Sequence, residues 1–215
     1  YYLRISKKIT DFSDLQQLAD EDMLMQSNAD NAVVPYLSSA PNQFPLFSAS
    51  TGIYQGLKMS GTVEQTLKNW DDPRIAVFFN PTQESLLAGT PEFKGMPNGL
   101  STQTISEMGI VLNDVSNMSD RFRAVPDGVD AQLMLYSEVQ FALAEAVERG
   151  YITGNAQTYY ENGIKAHFEY YSTEVPGDYF SRDVIALNGS MDENLEKILT
   201  QKWLSLFLVG HEAWF

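Results

Sequence analysis

Three helical stretches near the end of the chain decide the fold. They read LMLYSEVQFALAEAVERG (133–150), NAQTYYENGIKAHFEYY (155–171) and SMDENLEKILTQKWLSLFLVGHEAW (190–214). In the first two, apolar residues recur at the helical period, which predicts one apolar stripe on each helix. Gly150 suits a helix C-terminus, and the short link 150–154 predicts that these two helices are antiparallel neighbours.

Each later stretch carries further local signals. Asn155 is placed to cap the second helix, and Gly163 lies on its apolar face, where close helix–helix approach best explains a glycine. In the third stretch Ser190 and Glu193 form a capping box, and apolar residues then cover most of the circumference, which predicts a nearly fully buried helix. Helices are therefore expected near 2–9, 14–25, 62–70, 134–149, 155–171 and 191–208.

The shorter helices have weaker signals. Ser13 is the expected N-cap of the helix near 14–25, and Thr62 with Gln65 is the expected capping box of the helix near 62–70. The dipeptide Asp72-Pro73 should end the latter, because the residue before a proline disfavours the helical region.

Between these helices the pattern is mostly irregular. Residues 27–60 are rich in Ser, Asn, Pro and Gly, and 80–130 reads as loop with one short strand near 110–112. Residues 75–79 are the best strand candidate, since prolines bound a short apolar run. We predict a loop-rich insert over 27–130 on a helical core over 133–214, within one domain spanning 1–215.

Composition narrows the possible functions. The 215 residues are 44% hydrophobic, enough for a sizeable core, and carry a formal net charge of −14. Without a basic stripe, nucleic-acid binding is not expected. The chain has no cysteine, hence neither a disulfide nor a thiolate metal site. No apolar run approaches the roughly 20 residues that span a membrane.

A series of short motifs occurs in order along nearly the whole chain. They are SNADNA (27–32), DPR (72–74), GMPNGL (95–100), YSEV (136–139), AEA (144–146), RG (149–150), YYENGI (159–164), QKW (201–203) and GHEAW (210–214). Together they resemble the SusD/RagB family, and more narrowly its SusD-like branch, described as starch-binding and associating with the outer membrane.

The resemblance implies both a fold and a setting. The fold would be all-α, mostly helical with long irregular loops around a tetratricopeptide-like helical-repeat core. The protein would be a non-catalytic lipoprotein of polysaccharide utilisation at the cell surface, delivering oligosaccharide to a TonB-dependent, SusC-like transporter. Family members begin before Tyr1 with a lipidated cysteine and continue after Phe215, so the resemblance implies an interior fragment whose lipid anchor lies outside this chain.

No catalytic or metal centre is predicted, and no cofactor. His167 lies on the apolar stripe of its helix, which favours a core histidine, and the acidic runs at 20–22 and 71–72 favour solvated charges over a calcium site. Glu138 and Glu145 share a helix face at about the spacing of an inverting glycosidase pair. We expect them instead to be partly buried and paired with Arg149, Lys202 or a tyrosine hydroxyl.

Aromatic residues in or beside the irregular segments are the candidate ligand contacts, because aromatic faces stack on sugars and loops commonly carry binding residues. The candidates are Trp70, Tyr54, Tyr36 and Phe93, with Asn98 as a hydrogen-bonding partner. Trp70 is the first choice of anchor, and its rival interpretation is a plug that seals the turn before Asp71.

Two other functions stay open on the sequence alone. A helical-repeat module could bind a peptide or protein partner, and some SusD-like relatives are thought to serve peptide uptake. A glycoside hydrolase would rest only on Glu138 and Glu145. Glycan binding without hydrolysis would favour oligosaccharide delivery, and peptide binding without glycan binding would favour the helical-repeat module. Glycan hydrolysis abolished by Glu145→Gln would favour the hydrolase.

Overall fold

The protein is described by a computed structural model, which covers residues 2–21, 23–48 and 57–210. About 47% of the chain is helical, so the prediction of a mostly helical fold is confirmed. In chain order the helices are α1 (Ser13–Asp20), α2 (Pro45–Ser48), α3 (Gly61–Asn69), α4 (Ile75–Phe78), α5 (Gln83–Leu87), α6 (Thr102–Glu107), α7 (Tyr136–Glu148), α8 (Ala156–Tyr170) and α9 (Met191–Ser205). Strands β1 (Ala32–Pro35) and β2 (Asp130–Met134) form a two-stranded sheet.

The chain divides into two compact units. Unit 1 comprises Tyr1–Val33 and Gln132–Phe215, and unit 2 comprises Val34–Ala131. Among the described residues, unit 1 contains the three longest helices and unit 2 contains five short ones. The prediction of one domain over 1–215 stays a prediction.

In unit 1, α7 packs against both α8 and α9. Phe141 is fully buried, and a Cβ on Gly163 would lie 2.7 Å from its ring, so close approach is the reason for the glycine, as predicted. Val147 near the end of α7 and Tyr159 near the start of α8 both lie beside Gly154, while Phe141 and Gly163 meet midway along the two helices, which confirms the antiparallel hairpin. Gly150 ends α7 with a φ of 71°.

The caps of α8 and α9 also agree with the sequence. The Asn155 side chain accepts the backbone N–H of Thr158 at 3.0 Å, and Ser190 and Glu193 form the predicted capping box. Since the side chains satisfy N–H groups that the first helical turn leaves without partners, both helix starts are determined locally.

The SNADNA motif joins the helices of unit 1. The Asn31 side chain accepts the backbone N–H of Tyr136 at 2.7 Å, at the start of α7. The Asn28 amide donates to the carbonyl of Ala166 on α8 at 2.9 Å. Asp30 closes a capping box with Ser27. The motif therefore caps one helix from a distant part of the sequence and contacts the next.

One predicted helix does not form, and the predicted ends of two others are wrong. Residues 2–9 form turns and a 3-10 helix at Ser6–Lys8, and Ile5, which precedes that helix, has no side-chain oxygen to cap it. Helix α1 ends at Asp20 rather than near 25, where consecutive acids oppose the negative end of the helix dipole. Helix α9 ends at Ser205 rather than 208, and Leu208 has a φ of 65°.

Two N-caps differ from the prediction. Phe12 occupies the N-cap position of α1, and the Asp11 carboxylate, not Ser13, accepts a backbone N–H there, at 2.9 Å. Helix α3 is capped by Ser60, whose hydroxyl accepts from Val63. In both cases an oxygen-bearing side chain just upstream of the predicted cap takes the role.

Unit 2 is built from short helices tied by backbone hydrogen bonds. Both predicted strands are wrong: 75–79 contains α4, and the 3-10 helix Leu112–Asp114 occupies the end of 110–112. A short apolar run fits either structure, and here Asp72 accepts the N–H of Arg74 at 2.9 Å, starting a helical turn. Helices α5 and α6 lie in the stretch predicted as loop, 80–130.

The core of unit 2 comes from its apolar and aromatic residues. The fully buried ones include Met59, Leu67, Phe78 and Phe122. The DPR motif adds an ion pair with both side chains completely buried, in which Arg74 donates to the Asp72 carboxylate at 2.6 Å. The expectation of solvated charges at 71–72 is therefore wrong for Asp72, because a cation beside it compensates for the lost water.

Candidate functional site

An aromatic pair in a short loop is a candidate contact surface among the described residues of unit 2. The rings of Tyr36 and Phe44 meet edge to face, with centroids 5.4 Å apart and planes at 61°. Both side chains are half-buried, so each keeps part of its surface open to solvent. Such rings can contact the C–H face of a sugar or an apolar side chain.

The backbone of this 36–44 loop is held by specific hydrogen bonds. The N–H of Leu37 donates to the carbonyl of Asn42 at 2.7 Å, and the amide of Gln43 donates to the carbonyl of Ser38 at 3.0 Å. The N–H of Phe44 donates to the carbonyl of Pro126 at 2.7 Å, which joins the loop to a second segment. The aromatic pair is therefore presented on an ordered backbone.

The surroundings of the pair mix apolar and polar groups. Leu37 is 50% exposed, and Val125, next to Pro126, is 39% exposed. Asn42 is exposed on the loop, where its amide can donate and accept hydrogen bonds. Aromatic rings beside amides and serines suit a ligand that carries both hydroxyls and C–H faces.

The five predicted ligand contacts have different environments. Tyr36 belongs to the pair just described. Phe93 is half-buried, and Asn98 is exposed beside Gly99, which has a φ of 73°. Trp70 is only 8% exposed, which favours the plug over the anchor because a buried ring offers no face to a ligand. Tyr54 lies outside the described residues.

Sequence reasoning did not assign Leu37, Asn42 or Val125 to the surface. One signal was available: two aromatics bracket a segment of Ser, Pro, Asn and Gln, which is typical of a turn that brings its ends together. The contact with Pro126 had no sequence signal, because it joins residues far apart in the chain.

One carboxylate of the hydrolase alternative, Glu145, is engaged in an ion pair in unit 1. Glu145 is buried, and its Oε1 accepts from the Arg149 guanidinium at 2.8 Å. Its Oε2 lies 3.8 Å from the Lys202 ammonium. The predicted pairing of Glu145 with these two residues is confirmed, and a buried ion pair of this kind supports a structural role for its carboxylate.

The described residues contain neither a metal-binding cluster nor a membrane-spanning helix. Within them, no group of three or more His, Cys, Asp or Glu side chains is arranged to hold a metal ion. His167 is fully buried with its ring edge against Tyr171, so the prediction of a core histidine is confirmed. In the same part of the chain no helix has the length and apolar character needed to cross a membrane.

Comparison with known proteins identifies the family. A family model described as "Starch-binding associating with outer membrane", SusD-like, matches residues 1–215. The chain therefore belongs to the SusD-like family, as the motifs predicted. No curated protein sequence matches it.

Solved structures agree with the family. A SusD homologue from Bacteroides fragilis is 31% identical over 93% of this chain and 47% of its own, with a TM-score of 0.77. A second from the same species is 26% identical over 91% and 46%, with a TM-score of 0.78. A chitin-binding SusD homologue from Flavobacterium johnsoniae, 24% identical over 94% and 44% with a TM-score of 0.70, shares the fold.

Two consequences follow from these comparisons. SusD-like structures are helical and tetratricopeptide-like, so the predicted fold class is confirmed. The chain also spans about half the length of the solved structures that it matches.

Proposed function

We propose that the protein is a non-catalytic component that binds oligosaccharide at the outer-membrane surface and delivers it to a TonB-dependent, SusC-like transporter. The observation that carries this proposal is the family match over all 215 residues, whose description names starch binding and outer-membrane association. Attachment to the membrane would be through a lipid anchor outside this chain.

The 36–44 loop is the proposed contact surface. Tyr36 and Phe44 supply ring edges and faces, and Asn42 supplies an amide for sugar hydroxyls. Tyr54, Phe93 and Asn98 stay predicted contacts. Because a few rings on an open surface bury little of a ligand, the expected Kd is on the order of micromolar to millimolar, or roughly −4 to −8 kcal/mol.

Calorimetric titration with starch oligosaccharides tests the proposal. We expect binding without release of reducing ends, and Tyr36→Ala should weaken it about tenfold, or about 1.4 kcal/mol. Tyr170→Ala is the matched control, since Tyr170 is also a half-buried tyrosine in an edge-to-face pair, but in unit 1. Equal affinity of the two variants would reject the 36–44 loop as the contact surface.

Two further outcomes decide between functions and between contacts. Absence of binding on a broad glycan array, with binding to peptides, would replace the carbohydrate proposal by peptide uptake. Trp70→Ala should lower the melting temperature by several degrees and leave binding intact, because the ring is buried. Loss of binding with an unchanged melting temperature would restore Trp70 as the anchor.

A further inference from the structure

Three Asn-Gly sequences occur in the chain, and the structure places them in different environments. They are Asn98-Gly99, Asn162-Gly163 and Asn188-Gly189. This dipeptide is especially prone to spontaneous loss of the side-chain amide, because glycine has no Cβ to hinder its backbone nitrogen. Local structure therefore decides which of the three sequences can react.

The reaction requires that the asparagine side chain and the next backbone nitrogen be free to meet. That nitrogen attacks the side-chain carbonyl carbon, Cγ, and the Cγ–Nδ2 bond breaks to release ammonia, which takes up the proton of the backbone N–H. Water then opens the succinimide ring at either carbonyl and leaves an aspartate or an isoaspartate. Since an amide and water become an acid and ammonia, no oxidant or reductant is needed.

The Asn162-Gly163 sequence is held by helix α8. The helix spans Ala156–Tyr170, so the Gly163 N–H lies inside its regular pattern of hydrogen bonds. Gly163 is also buried, and a Cβ on it would lie 2.7 Å from the Phe141 ring. Because the rotation that the reaction needs would break α8 where it packs against α7, Asn162 is protected.

The Asn188-Gly189 sequence is exposed but is held by side chains of α9. The Gly189 N–H donates to Asn194 Oδ1 at 3.1 Å. The Lys197 ammonium donates to Asn188 Oδ1 at 3.3 Å. Both groups that would have to meet are therefore engaged by other partners.

The Asn98-Gly99 sequence is exposed in a turn of unit 2. A Cβ placed on Gly99 would meet nothing within 4 Å, so the glycine has open space around it. Within the part of the chain that the structure describes, neither the Asn98 side chain nor the Gly99 N–H makes a hydrogen bond. Both groups are free to meet.

We propose that Asn98 is a site of spontaneous deamidation, and that Asn162 and Asn188 are spared by α8 and by the side chains of α9. Because ammonia is lost, the product accumulates as the protein ages. It adds one negative charge to the formal net charge of −14. Isoaspartate also lengthens the backbone close to Met96, whose carbonyl accepts the N–H of Gly61 at 2.7 Å.

A consequence for binding rests on the proposed function. Asn98 is a predicted ligand contact, and deamidation would replace its neutral amide with a carboxylate that accepts but does not donate hydrogen bonds. The reaction itself needs no ligand, so it is tested separately from oligosaccharide binding.

Peptide mapping of the folded protein tests the proposal. The protein is incubated in heavy-oxygen water at mildly alkaline pH and digested at acid pH, and mass spectrometry measures the labelled product at each sequence. Asn98 should be converted about tenfold faster than Asn188 or Asn162, a difference in activation free energy of about 1.4 kcal/mol. Equal rates at the three sites, or a faster rate at Asn162 or Asn188, would overturn the proposal.

Two variants test the assigned causes. Gly99→Ala should slow the conversion of Asn98, because the added Cβ hinders the attacking nitrogen. Lys197→Met releases the Asn188 amide and should speed the conversion of Asn188 without changing that of Asn98. This variant should fold, since α9 is less buried than its sequence predicts, with Leu199 38% and Trp203 37% exposed. Unchanged rates in both variants would contradict the proposal.

Unfolding provides the control for sequence alone. In concentrated guanidinium chloride the hydrogen bonds of α8 and α9 are lost, so the three Asn-Gly sequences should be converted at similar rates. If Asn98 keeps its tenfold advantage in the unfolded chain, neighbouring residues and not the fold set the rates, and the proposed protection of Asn162 and Asn188 is wrong.

Discussion

Units 1 and 2 reach compactness by different means. Helices α7, α8 and α9 of unit 1 have 13, 15 and 15 residues, and their packing follows apolar stripes along the chain. The helices of unit 2 have four to nine residues and cannot bury a comparable stripe. Order in unit 2 therefore depends on bonds between segments that are distant in sequence.

Those bonds converge on a few backbone segments. The N–H of Met59 donates to Ser116 at 2.8 Å, and the N–H of Asn80 donates to Asn117 at 2.9 Å. A Cβ on Gly95 would lie 2.7 Å from the carbonyl oxygen of Ser60, so a glycine is required where these segments approach. We therefore expect the stability of unit 2 to be sensitive to changes at the residues that join its distant segments.

The largest expected effect is at the buried ion pair of unit 2. Asp72→Ala should lower the free energy of unfolding by about 3–5 kcal/mol, because it leaves the Arg74 guanidinium buried beside no carboxylate. Denaturant unfolding measures the change.

The matched control is the exposed ion pair of unit 1. Lys165 is 3.0 Å from Glu161, with 52% of its side chain exposed, so Lys165→Met should cost less than about 1 kcal/mol. If both variants lose the same stability, burial is not what sets the contribution of the Asp72–Arg74 pair. The double variant Asp72→Leu/Arg74→Met should recover part of the loss, since no charge is then buried.

The next effect tests the packing of unit 1. Gly163→Ala should cost about 1–3 kcal/mol, since its Cβ would meet the buried Phe141 ring and overpacking outweighs the gain in helix propensity of roughly 1 kcal/mol. Thermal unfolding measures this loss of stability. In a protein that also carries Phe141→Leu, Gly163→Ala should cost less, because the smaller side chain leaves room for the added Cβ.

Gly177→Ala serves as the control for this substitution. A Cβ there meets nothing within 4 Å, so its stability should stay within about 0.5 kcal/mol of the parent. A stabilised Gly163→Ala protein would show that the helices of unit 1 separate more easily than their packing indicates.

The cap from the SNADNA motif should have a smaller effect. Asn31→Leu removes the acceptor for the Tyr136 N–H and should cost about 1 kcal/mol, as helix N-caps do. Asn31→Asp keeps an acceptor at the positive end of α7 and should retain most of the stability. Equal melting temperatures for Asn31→Leu and Asn31→Asp would contradict the capping role of Asn31.

The smallest expected effects are changes in stability with pH. A carboxylate in unit 1 and one in unit 2 should change the stability in opposite directions. The hydrogen bond from Ser190 holds the pKa of Glu193 below its ordinary value. The contribution of Glu193 to the free energy of unfolding is therefore present above about pH 4.3 and is lost as pH falls through the lowered pKa of the folded state. The hydrogen bond shared with Asp114 raises the pKa of Glu84, so its contribution is present below about pH 4.3 and lost as pH rises through the raised pKa.

Glutamine variants separate the two cases. Glu193→Gln should melt below the parent at neutral pH, and Glu84→Gln should melt above it, because the second change relieves repulsion with Asp114. Both differences should shrink as the pH is lowered. If both variants shifted the melting temperature in the same direction at neutral pH, the pKa directions assigned to these two carboxylates would be wrong.

Local signals were enough for the framework of unit 1. The stripes of α7 and α8, the Asn155 cap, the Ser190–Glu193 box and Gly150 are each determined by residues within a few positions, so the sequence predicts them directly. The ordered motifs also placed the chain in the SusD-like family. The candidate aromatics Tyr36 and Phe93 were found from their position in irregular segments, although their surroundings were not.

Unit 2 and the candidate surface required the tertiary structure. Residues 75–79 fit strand and helix equally by pattern, and the hydrogen bond from Arg74 to the Asp72 carboxylate decided for helix. Trp70 suits an anchor or a plug until its burial is known. The contact of Phe44 with Pro126 joins distant residues. Apolar periodicity and capping patterns depend only on residues that are close in sequence. Burial and long-range hydrogen bonds depend on which distant segments meet in the folded chain.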